Sequence, residues 1–115
     1  MNNEFIRIFC LSLSKVTEDI KWESGLCFCI GEKIFCMMST TTDTSVCFKC
    51  SEEDFNLLCE RDGIIPAPYL ARNKWVLVQK TSALNTKEWK QFIKTSYDLV
   101  AAGLSKKLKM ELGLL

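Results

Sequence analysis

Between residues 18 and 49 the chain carries four short runs rich in β-branched and aromatic side chains, at 20–22, 26–30, 34–38 and 46–49, with breaks between them too short to hold a helix. Strands joined this closely can pair only antiparallel, because a parallel return needs a crossover of a dozen or more residues. The span therefore predicts an antiparallel meander. Glu23-Ser24-Gly25 and Gly31-Glu32-Lys33 have the length of tight hairpin turns, with glycine free to take positive φ. The polar stretch 39–45 predicts a longer loop.

Helical periodicity flanks this block. Phe5, Ile6, Phe9, Cys10 and Leu13 share one face after the caps Asn2 and Asn3, predicting a helix over residues 3–14. Ser51 with Asp54 resembles a capping box, with Cys50 and Phe55 placed as its hydrophobic staple, and this second helix is expected to end near Gly63. The two prolines of Ile64-Ile65-Pro66-Ala67-Pro68-Tyr69 favour an extended path that interrupts any ladder, so this segment is read as a rigid loop feeding a strand at 75–78. Asn85 with Glu88 then caps a long helix whose apolar stripe is Trp89, Phe92, Ile93, Tyr97 and Val100. Residues 105–115 predict a short basic helix ending near Gly113.

The expected class is thus α+β, an antiparallel sheet of about five strands packed against helices in the order α-β-β-β-β-α-β-α-α, within one domain over residues 1–115. At 115 residues there is room for one core. No apolar run approaches the roughly 20 residues of a membrane span, and the start Met1-Asn2-Asn3-Glu4 lacks the positive charge of a secretory leader, so no membrane partner is expected. Seven cysteines, an odd number scattered through strands and helices, argue against a disulfide framework and for a reducing cytoplasm.

Chemistry is constrained mainly by what is missing. With no histidine, the commonest general base and metal ligand are lost, together with every Ser-His or Cys-His arrangement. Gly25, Gly31, Gly63, Gly103 and Gly113 are too dispersed for a phosphate-cradling loop. Cys27, Cys29, Cys36, Cys47 and Cys50 could in principle supply four thiolates to zinc. Residues three apart on a strand point to opposite faces, however, so Cys47 and Cys50 diverge, and a role in packing is the better reading. No enzyme activity, metal or cofactor is expected.

Charge is more informative. Residues 1–71 carry a net charge of −5 and residues 72–115 a net charge of +6. Arg72, Lys74, Lys80, Lys87, Lys90, Lys94, Lys106, Lys107 and Lys109 form the positive part, and such a set attracts phosphate backbones through counterion release. The plainer reading is that Lys87, Lys90 and Lys94 solvate the outer face of the long helix.

The segment Gly63-Ile64-Ile65-Pro66-Ala67-Pro68-Tyr69-Leu70-Ala71-Arg72-Asn73-Lys74-Trp75-Val76 closely resembles the signature of the MmcQ/YjbR family of small bacterial proteins. Flanking pieces agree in the same order, among them Val16-Thr17-Glu18-Asp19, Leu26-Cys27-Phe28, Lys33-Ile34-Phe35 and Ser96-Tyr97-Asp98-Leu99-Val100 with Lys106-Lys107. The chain departs from the family where Ser14-Lys15 replaces an expected proline-glycine turn and Asn73 an expected histidine. The resemblance implies an antiparallel sheet against helices and DNA binding through hairpins arranged as a double wing, a functional analogy of fold. On that reading Arg72 and Lys74 leave the proline loop as ordered cations, Lys33 sits at a wing tip, and Lys80, Lys87, Lys90, Lys94, Lys106 and Lys107 extend the phosphate-contacting surface. The alternative is a protein-interaction or chaperone-like module that binds a partner along a sheet edge.

Overall fold

The computed structural model describes residues 3–21, 25–39, 45–68 and 70–114. The Asn2 cap, the tip of the turn at Glu23 and Ser24, most of the loop at 39–45 and Tyr69 lie outside the described residues. The elements run α1 (Asn3–Ser12), β1 (Val16–Lys21), β2 (Gly25–Ile30), β3 (Lys33–Ser39), β4 (Val46–Lys49), α2 (Glu52–Leu58), β5 (Ile64–Pro66), β6 (Trp75–Val78), α3 (Thr86–Ala102) and α4 (Lys106–Glu111). All strands join one antiparallel sheet in the order β1-β2-β3-β4-β6-β5.

The α+β class is as expected, but the sheet has six strands. The extra one is β5, whose Ile64, Ile65 and Pro66 pair with Val78, Leu77 and Val76. Proline is admitted there because β5 is an edge strand, where a missing N–H breaks no inner ladder. The loop reading of this segment thus underestimated how far an extended, proline-bearing stretch can still pair.

One row across the sheet, Phe28–Cys36–Phe48–Val76, is fully buried and faces α3. Phe48 meets Trp89 at 6.0 Å and Phe92 at 6.3 Å between ring centroids, while Phe35 meets Tyr97 edge-on at 5.6 Å. Aromatic pairs at such separations add to the apolar burial that holds a helix on a sheet. The capping box at the start of α3 is present in both directions between Asn85 and Glu88. At α2 the Ser51 hydroxyl accepts from the Asp54 N–H, and the helix stops at Leu58, short of Gly63.

Two turns carry the expected strain in unexpected residues. Lys15, standing where the family pattern leads one to expect glycine, takes φ 63°, and the Tyr97 hydroxyl donates to the carbonyl of the preceding Ser14 at 2.7 Å. In the β2–β3 hairpin both Gly31 and Glu32 have positive φ, 57° and 72°. That is the mirror-image turn whose twist matches the flanking strands. At the tip of this hairpin, Leu104 and Leu108 of the C-terminal segment pack against Gly31.

A cationic cleft where two strands part

β3 and β4 pair over three residues, Cys36–Met38 against Val46–Phe48, and then separate. The cause is a β-bulge in β3, where the register against β2 shifts and Phe35 becomes the extra residue. A bulge disrupts the ladder locally and bends its strand. The backbone groups stranded by the parting, the Lys49 N–H and the Phe35 carbonyl, are bridged by Ser96 of α3. Its hydroxyl accepts from Lys49 N at 3.0 Å and donates to Phe35 O at 2.6 Å.

The gap forms an open cleft of about 310 Å³. Lys33 and Ile34 line one wall, Lys49, Asn73 and Trp75 the other, and Leu99, Val100 and Gly103 close the back. The second wall is held rigidly. Lys49 Nζ donates to the Asn73 carbonyl at 2.9 Å, Cys50 N donates to the Lys74 carbonyl at 2.9 Å, and Lys74 caps the short 3-10 turn Ala71–Asn73 in the left-handed conformation, φ 64°. Cys50 Sγ lies 3.3 Å from the same carbonyl, and burial pushes its thiol up to about 12, so it is a protonated packing group at neutral pH.

The structure disperses the cations expected at the site. Lys33 reaches the cleft directly, Arg72 lies exposed on the adjoining 3-10 turn, and Lys106 and Lys107 are exposed in the first turn of α4 just beyond Gly103. Lys74 belongs to this end of the sheet but is half-buried, its ammonium 5.1 Å from the centre of the Phe55 ring. Lys90 lies over Phe5 at 5.6 Å, and Lys94 lies over Tyr97 and pairs with Asp98 at 2.6 Å, so both are engaged along α3 away from the cleft. Lys80 borders a hollow with Asp62 near the opposite end of the sheet, and Lys87 is exposed in the first turn of α3. The nine residues therefore do not converge on one face.

The residue that the sequence reading missed is Lys49, which the periodicity marks simply as the end of a strand. Its importance comes from the bulge, and the bulge leaves no local sequence signal. Among the described residues the ion pairs are Arg7 with Glu4 and Glu18, Arg61 with Glu88, and Lys94 with Asp98. None takes a cation from the cleft end. Among the described residues, Lys33, Lys49, Arg72, Lys106 and Lys107 thus have no direct carboxylate contact.

Of the cysteines, Cys10 of α1 and Cys36 of β3 are buried together, with the Cys36 thiol pushed up by Cys10 beside it and by burial. Cys27 and Cys47 share a row with Met37, Leu77 and Ile65 on the other sheet face. Among the described residues no group of three or more acidic or sulfur side chains is arranged to hold a metal ion, and no helix is long and apolar enough to cross a membrane.

Comparison with known proteins places this geometry. A family model described as YjbR matches residues 11–99. A crystal structure of a Deinococcus radiodurans protein with the domain DUF419 superposes with a TM-score of 0.84 at 22% identity, covering 99% of this chain and 89% of that one. A Pseudomonas syringae protein superposes with a TM-score of 0.72 at 19% identity, covering 86% of this chain and 98% of the other. No curated protein matches the sequence.

Proposed function

The chain belongs to the YjbR family, and from that membership together with the uncompensated cations at one end of its sheet we propose that it binds DNA non-catalytically, mainly through phosphates. The observation that carries this reading is that Lys33, Lys49, Arg72, Lys106 and Lys107 gather at one end of the sheet with no ion pair among the described residues, while the arginines elsewhere, Arg7 and Arg61, are ion-paired. A cation already paired would have to exchange one anion for another and would gain little from a phosphate. Lys49 at the end of β4 and Lys33 at the start of β3 sit on ordered strand backbone, which lowers the entropy lost on binding. An odd number of cysteines scattered through strands and helices favours a reducing cytoplasm as its place of action.

Both sheet edges are poor templates for the alternative, addition of a partner strand. The β5 edge is three residues long and contains Pro66, and on β1 the Ile20 N–H is taken by the Asp19 carboxylate at 2.9 Å. Short strands, proline and inward-bonded charges are devices that blunt an edge.

The test is affinity for labelled DNA across salt concentrations. If the five cations each neutralise one phosphate, log affinity falls against log salt with a slope of about −4.5 on a duplex and about −3.5 on a single strand. The double variant Lys33→Glu/Arg72→Glu is expected to abolish retention, whereas Lys80→Glu/Lys87→Glu, away from the cleft, leaves it nearly intact. No detectable binding at low salt, or equal losses in both pairs, refutes the proposal.

A further inference from the structure

The cleft between β3 and β4 is concave, apolar at its back and cationic at its rim, and this shape selects among nucleic acids. We infer that it takes one nucleotide of an unpaired strand, so that single-stranded DNA is bound in preference to duplex; this rests on the proposed DNA binding and narrows it. A duplex keeps its bases stacked inside and presents phosphates on a convex surface, so a convex ridge of lysines would serve it best. Here the two cleft lysines, Lys33 and Lys49, instead flank a hollow of about 310 Å³. That lies at the small end of ligand sites, roughly 300–1,000 Å³, and suits one splayed-out base rather than a double helix.

The lining matches the two halves of a nucleotide. Ile34, Trp75, Leu99 and Val100 offer apolar surface to a base, and Trp75, though 8% exposed, is the aromatic group at the wall. Proteins that track single strands combine such surfaces with a cationic groove for the backbone. Lys49 Nζ, fixed on the Asn73 carbonyl at 2.9 Å, and Lys33 across the gap are placed to meet the flanking phosphates. The Asn73 carboxamide at the rim adds a donor and an acceptor for a base edge.

Gly103 provides a probe that changes no charge. It lines the cleft in an ordinary right-handed helical conformation, φ −84°, and a Cβ there would meet nothing closer than the Val100 carbonyl at 3.5 Å. Gly103→Phe can therefore obstruct the hollow with little strain in the fold. Fluorescence anisotropy is measured with a dye-labelled oligothymidylate of about 12 nucleotides, a length such grooves can span, and with a duplex of the same length. The strand is expected to bind about tenfold tighter than the duplex, and Gly103→Phe and Lys49→Ala each to weaken strand binding about tenfold. Unfolding midpoints verify that both variants are folded. Duplex binding as tight as strand binding, or strand binding indifferent to both variants, overturns this inference and leaves DNA binding standing. Failure of both nucleic acids to bind removes the two together.

Discussion

Ser96 is the one polar residue among the described residues that the core buries completely. Its hydroxyl holds together strands that the bulge has parted, satisfying the Lys49 N–H and the Phe35 carbonyl at once. Buried backbone groups left without partners cost about 1–3 kcal/mol each, whereas the hydrogen bond itself contributes less. Ser96→Ala removes both partners and is expected to cost roughly 2–3 kcal/mol, less if a water enters the vacated space. Urea unfolding checks this, and Ser96→Thr, which keeps the hydroxyl, separates lost bonding from altered packing. Because Lys49 is anchored through the same hydroxyl, Ser96→Ala should also weaken DNA binding in proportion to the disorder it gives the cleft wall.

At the scale of elements, the β2–β3 hairpin shows how closely its turn residues are tied to the C-terminal segment. Gly31 needs positive φ, and a Cβ on it would lie 2.9 Å from Leu104 Cδ1 and 3.0 Å from Leu108 Cδ2. Gly31→Ala is therefore expected to destabilise by roughly 1–2 kcal/mol and to loosen α4, read as faster amide exchange at Leu108 and its neighbours. The hairpin was legible in the sequence because glycine between two apolar runs has few other meanings. So was α3, where Asn85, Glu88 and the stripe from Trp89 to Val100 all support one helix. β5 was not, because proline in a short segment reads as a loop unless the edge position is known. The cleft was not legible either: Lys49 and Lys33 lie 16 positions apart in sequence, and a bulge, itself invisible in composition, brings them together. Arg72, expected to leave the proline loop as an ordered cation, lies exposed on the 3-10 turn Ala71–Asn73, while Lys74 turns inward onto Phe55.

For the whole molecule, the separation of charge along the sequence does not become a separation of charge in space. Arg7 and Arg61, in the N-terminal and middle parts of the chain, are spent on tying elements together. Arg7 joins α1 to β1 through Glu18, and Arg61 joins the end of α2 to the start of α3 through Glu88. The Arg61 guanidinium, with the Asn85 N–H, holds the Glu88 carboxyl below its ordinary 4.5. A carboxyl depressed in the folded state gives stability that is present above its unfolded value and lost as pH falls through the lower, folded one. Glu88→Gln keeps a side-chain acceptor for the Asn85 N–H and removes only the charge. As the pair is partly exposed and screened, the variant is expected to be less stable than the parent by about 0.5–1 kcal/mol at pH 7. The gap should narrow from about pH 5 downward and close once the parent's carboxyl is protonated. Paired urea titrations of parent and variant at pH 7 and pH 3 measure it directly. A gap that persists once the parent's carboxyl is protonated would mean that the charge of Glu88 is not what separates parent from variant.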